Sequence, residues 1–210
     1  MSTGLPFPFR AGLLAVALCA VAPQAVFAAS DDKPGASTSA QVKSADPQKG
    51  RQKVIDELFD RLARAQDEVE AKGVAGAIER VWMHSGSDTA DLLMSRAMQA
   101  FQRKDHPLAQ ELLGAIVEIE PQWAEGWNKR ATVRYMADDY MGAMQDIAQA
   151  LALEPRHFGA LSGLGFILQS RGFDKRALDA FRKALDINPR QEEMRRIVDK
   201  LTIEVEGQGS

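Results

Sequence analysis

The sequence predicts an all-α protein of stacked antiparallel helix pairs, an α-solenoid closed by a C-terminal capping helix. Three observations carry that expectation. Pro121, Pro155 and Pro189 recur at intervals of 34 residues inside the similar strings EIEPQW, ALEPRH and DINPRQ, and a fixed period of this length marks a repeat array. Aligned on those prolines, units 90–123, 124–157 and 158–191 carry small residues at the same internal positions. From Arg51 onward no alternating, β-branched run marks a strand.

Taken in order, residues 1–28 carry Arg10 and then an apolar run that ends in small residues around Ala28. This is the layout of a secretory leader, with an apolar core too short to span a bilayer stably. The only cysteine, Cys19, lies inside it, so the exported chain would hold no thiol to mispair in an oxidising compartment. Lipid attachment at Cys19 is disfavoured, because Leu18 stands where such signals want Gly or Ala. Residues 29–50 are small and polar; they bury too little to offset the entropy of ordering and are expected to form a flexible linker. Residues 51–89 are expected as a degenerate helical hairpin, with Ala63 and Ala75 in the small positions and Ser87 where the proline would fall.

Within the three units, position 8 is Ala97, Ala131 or Gly165, and position 20 is Ala109, Ala143 or Ala177. Small side chains at one point on each of two successive helices let their backbones approach closely. Position 24 is Leu113, Ile147 or Phe181, and Ile119, Leu153 and Ile187 stand two residues before each proline. All six are expected to fill space between units. Asp105 and Asp139 are placed to cap second helices, and Gly172 to end a first one. Gly159 and Gly163 weaken a helix interior, so either something packs closely on their face or that helix is weak. Residues 192–210 supply the capping helix and a tail, covering the last open face.

With Leu93, Trp127 and Leu161 at position 4 and the terminal proline, this pattern resembles the tetratricopeptide repeat over residues 90–191. The resemblance implies that the first helix of each unit lines a concave surface with its positions 2, 5, 6, 9, 12 and 13. In the first unit those are Asp91, Met94, Ser95, Met98, Phe101 and Gln102; in the second, Glu125, Asn128, Lys129, Thr132, Tyr135 and Met136. The third contributes Gly159, Ser162, Gly163, Phe166, Gln169 and Ser170. Methionine beside aromatic residues makes an adaptable surface, so Met94, Met98, Phe101, Asn128, Lys129, Thr132, Tyr135, Met136 and Phe166 are the expected partner-binding groove. The alternative is that they fill gaps against the N-terminal helices or the C-terminal cap. Members of the family that grip a terminal carboxylate use Lys, Arg and Asn in the groove, and Asn128 with Lys129 is too little for that.

Arg130 and Arg134 depart from the family pattern at positions 7 and 11. Four residues apart, they share a helix face and need acidic partners, with Asp146, Asp138 and Asp139 available. They are either a structural ion-pair cluster or an anion site.

A net charge of −3 and a pI near 5.7 leave no basic footprint for nucleic acid. His84, His106 and His157 lie far apart in sequence, without the spacing of a metal site, and no phosphate loop or nucleophile motif is present. The expectation is a non-catalytic bacterial adaptor or scaffold of the cell envelope, exported to the periplasm, without cofactor or metal. It would bind a helix or peptide of a protein partner in its groove. A receptor for a small anionic ligand at Arg130 and Arg134, and a self-associating structural protein, are the alternatives.

Overall fold

The computed structural model describes residues 47–207, and every regular element among them is helical. The expected leader and most of the expected linker lie outside the described residues. Helix α1 spans Pro47–Arg64 and α2 Glu68–Trp82. The repeat units follow as α3 (Asp88–Gln102) with α4 (His106–Ile119), α5 (Ala124–Met136) with α6 (Tyr140–Leu153), and α7 (Phe158–Ser170) with α8 (Asp174–Ile187). The last helix, α9, is Glu192–Glu206. Helix α1 starts inside the stretch expected as linker. Proline suits a first helical position, since its fixed φ is already helical and its missing amide would be unpaired there anyway.

Within each unit the two helices cross at the predicted small residues. Ala97, Ala131, Ala109, Ala143 and Ala177 are all buried. A Cβ on Gly165 would lie 2.3 Å from the Phe181 ring, so the third unit has traded a side chain at position 8 for a large one at position 24. Leu113, Ile147 and Phe181 are buried as expected, each contributing about 1.5–3 kcal/mol.

The turn inside each unit is also repeated. Position 15 is left-handed in all three, at Lys104 (φ 62°), Asp138 (φ 61°) and Gly172 (φ 75°). The next amide bonds back to the carbonyl of position 11 at 2.9 Å in every unit, Asp105 to Ala100, Asp139 to Arg134 and Phe173 to Leu168, which is the six-to-one bond of a Schellman ending. Asp105 and Asp139 then accept from the Leu108 and Gly142 amides and start α4 and α6.

The N-terminal hairpin departs from expectation. Ala63 is exposed, so α1 does not cross α2 at the anticipated small residue. Outside its own hairpin, α1 meets α8 rather than α3. The reason lies on α3. At position 10, Val133 and Ile167 are buried in the inner units, whereas Gln99 is exposed; at position 3, Gly126 and Ala160 are buried, whereas Leu92 is 53 % exposed. With Arg96 also exposed, α3 presents a mostly polar face that no hairpin can bury profitably.

Instead α1 and α2 lie along the edge formed by the turns between units. Ile55, Phe59, Leu62, Val74, Ile78 and Trp82 build one apolar cluster with Phe158, and Ile187 packs against it. Ile119, the equivalent of Ile187 two units earlier, stays outside this cluster and is 47 % exposed, so it does not fill the space expected of it. At the other end, α9 buries Met194, Val198 and Leu201 with Leu178 and Phe181 of α8, and covers the last unit.

Candidate functional site

The concave side holds an apolar cavity of about 270 Å³ between α5 and α7. Helix α5 supplies Asn128, Thr132, Tyr135 and Met136, and α7 supplies Gly159, Gly163 and Phe166; Ile147 and Ile167 lie beneath. The two glycines explain why the cavity exists. A Cβ at Gly159 would meet only the His157 ring, at 3.5 Å, and one at Gly163 only Ile147, at 3.7 Å. Those are ordinary contacts, so no close packing demands glycine; their missing side chains leave the floor open. Two aromatic rings are held in place, Tyr135 edge-on to Tyr140 at 5.8 Å and Phe166 edge-on to Phe181 at 5.0 Å. Met136 and Phe166 remain 54 % and 40 % exposed.

The first unit's residues do not join this cavity. Met98 lines a separate concavity on α3 with Asp91, Ser95 and Gln102. Met94 touches it too, yet is 1 % exposed and belongs to the core between α3 and α4 rather than to a binding surface. Phe101 lines neither; it packs on that same core, edge-on to His106 at 5.6 Å. A large apolar side chain this near a hydrophobic cluster lowers the free energy most by joining it.

Glu125, expected at the groove, is buried beside the edge hairpin. Its Oε2 accepts from His157 Nε2 at 2.8 Å and Asn128 Nδ2 at 3.0 Å, and its Oε1 pairs with Lys129 Nζ at 2.8 Å. The Ala160 amide donates to His157 Nδ1, which fixes the imidazole proton on Nε2 and aims it at the carboxylate. Burial pushes the Glu125 carboxyl up, but the His157 hydrogen bond and the Lys129 charge outweigh it and leave its pKa below the ordinary value. Lys129 and Asn128 are thereby held by an internal carboxylate.

The Trp82 ring stacks on His157 at 4.1 Å, and its carbonyl accepts from Trp123 Nε1 at 2.7 Å. One turn residue away, Arg156 lies over the Phe59 ring at 4.3 Å and pairs with Asp56 at 2.9 Å. Periodicity could not reveal these contacts; three tryptophans, two of them at or near turns, were the only signal.

Arg130 and Arg134 meet at one acid. Asp146 accepts from Arg130 Nε and Nη2 at 2.9 and 2.7 Å, and Arg134 Nη1 lies 3.0 Å from its Oδ2. Arg134 also donates to the Gly142 carbonyl at 3.1 Å. Asp146 is buried, so both guanidinium groups are turned inward onto α6. Among the described residues no cluster of three His, Cys, Asp or Glu stands ready for a metal ion, and no helix is long and apolar enough to cross a membrane.

No family model matches the chain. A TPR repeat-containing protein of Rhizobium etli is 40% identical over 151 residues, which cover 70% of this chain and 74% of that relative. The small glutamine-rich tetratricopeptide repeat-containing protein 2 of Saccharomyces cerevisiae is 30% identical over 98 residues, 47% of this chain but only 28% of the yeast protein. Among solved structures, the first TPR domain of Spaghetti bound to the HSP90 peptide SRMEEVD superposes with a TM-score of 0.54 at 18% identity, over 57% of this chain and 94% of that domain. At that identity the likeness is one of fold.

Proposed function

The chain belongs to the tetratricopeptide-repeat family, and from that premise we propose that it is a non-catalytic adaptor that binds a segment of a protein partner between α5 and α7. The observation that carries this reading is the apolar cavity floored by Gly159 and Gly163, with Met136 and Phe166 exposed at its rim. An exposed apolar concavity on a stack of this kind is a docking surface for an extended or helical segment. The peptide bound to the Spaghetti domain is a precedent for the fold.

The groove used is that of the second and third units: Asn128, Thr132, Tyr135, Met136 and Phe166. Arg130 and Arg134 are read as structural, because Asp146 occupies both. The expected leader supports an exported, periplasmic location. A reporter active only after export, fused behind residues 1–28, should be active with them and silent without them.

Affinity capture from the periplasmic fraction tests the adaptor. A partner recovered by the wild type should be lost from Tyr135→Ala and from Gly163→Leu, which fills the cavity, with helical circular dichroism unchanged. Retention by both variants would reject the groove.

A further inference from the structure

The cavity on α7 does not end at Gly159. That residue also lines a second concavity of about 510 Å³, bounded by α2, the start of α7 and the α8–α9 turn. Two independent features of this second space point to one kind of ligand group.

The first is Asn188, which is 3 % exposed and lines the concavity, with an Oδ1 that finds no hydrogen-bond partner among the described residues. One unit earlier the same position is Glu154, whose carboxylate accepts from the Arg156 amide at 3.0 Å and closes the turn. Asparagine is shorter by a methylene, and its acceptor is left over. A buried acceptor without a donor is a place for a donor to bind.

The second is charge. The rim carries Glu68, Glu79, Glu192 and Glu193 against only Lys72 and Arg190. Lys72 is already held by Glu68 at 2.8 Å, while Arg196 reaches Glu192 and Glu193 only at 3.9 and 3.8 Å. An acidic rim around an unused acceptor suits a group that is cationic and offers only donors, which among side chains means lysine or arginine.

We propose that the trough along α7 takes an extended partner segment that places an apolar side chain against Phe166 and Tyr135 and a lysine or arginine beside Asn188. The inference rests on the groove reading above and adds the sign and spacing of what is recognised. Phe166 and Gly159 are seven residues apart on one helix, a rise of about 10 Å, which an extended chain covers in about three residues. Asn188 lies beyond Gly159 in the second concavity, so the recognised pattern is an apolar residue and a basic one at least about three positions apart. The peptide on the Spaghetti domain, SRMEEVD, ends in acidic residues; this trough selects the opposite charge.

Selection of phage-displayed random peptides on the full chain tests it. The selected peptides should share an apolar and a basic residue at least about three apart. Their affinity should fall about tenfold on Glu79→Gln/Glu193→Gln and on Asn188→Leu, and should weaken as salt rises. The double Glu variant changes only surface groups, so it decides the matter even where Asn188→Leu fails to fold. Peptides without a basic residue, or affinities untouched by these variants but lost on Gly163→Leu, overturn this inference and leave the groove standing. Affinities untouched by Gly163→Leu, or no selected peptide at all, overturn the groove reading and this inference with it.

Discussion

Gly163 and Gly165 sit two residues apart on α7 and do opposite things. Gly165 is needed because the Phe181 ring fills the space of its absent Cβ. Alanine there should lower stability by about 1–3 kcal/mol through overpacking. Gly163 meets nothing closer than 3.7 Å, so alanine should raise stability by about 0.5–1 kcal/mol through helix propensity. Urea midpoints of the two variants, moving in opposite directions, check this. Asp146 is the residue on which two half-buried guanidinium groups depend. Asp146→Ala should cost about 3–5 kcal/mol, because it leaves Arg130 without a carboxylate and Arg134 with only the Gly142 carbonyl and a looser pairing to Asp139 at 3.7 Å, and inorganic phosphate should leave the wild-type melting temperature unchanged. Glu125 supplies a pH dependence. Its folded pKa is depressed, so its contribution is fully present above the unfolded value of about 4.3 and is lost as pH falls through the folded one. The advantage of the wild type over Glu125→Gln should therefore be constant at neutral pH and shrink on the acid side, where the variant's stability curve is the flatter of the two.

At the scale of elements, the edge hairpin depends on Trp82, whose ring meets His157, Phe59 and Phe158. Trp82→Ala should remove about 3–5 kcal/mol of packing. Hydrogen exchange should then speed up across α1 and α2 while α5 and α6 stay protected, because the hairpin docks on the stack without being threaded through it. This is also where sequence reading stops. Ala97, Ala109, Gly165 and Phe181 were legible because the period places them against one another, and Asp105 and Asp139 because capping is local chemistry. Gln99 was equally legible as a polar residue at a position that is apolar and buried in the other two units, and it foretells that no helix pair among the described residues stacks on α3. Stacking of Trp82 on His157, 75 positions later, has neither period nor local grammar. The burial of Glu125 follows from it, and so was invisible too.

The described residues form a short stack finished differently at its two ends. Helix α9 covers one end with Met194, Val198 and Leu201, while α3 leaves the other polar with Arg96 and Gln99 exposed. Terminal repeats need such solvated faces to stop the array from growing. Arg96→Leu/Gln99→Val would give α3 the residue of the third unit at position 7 and a valine like that of the second at position 10, and light scattering should then show more end-to-end association than in the wild type. A row of helix pairs joined only to its neighbours behaves like a coil spring, free to open and tighten. Here Trp123, Arg156 and Ile187, from three successive junctions, all touch one hairpin, so that margin cannot lengthen unless the hairpin lets go. The spring has been splinted along one side, and the spacing of its jaws is set before anything arrives to be gripped.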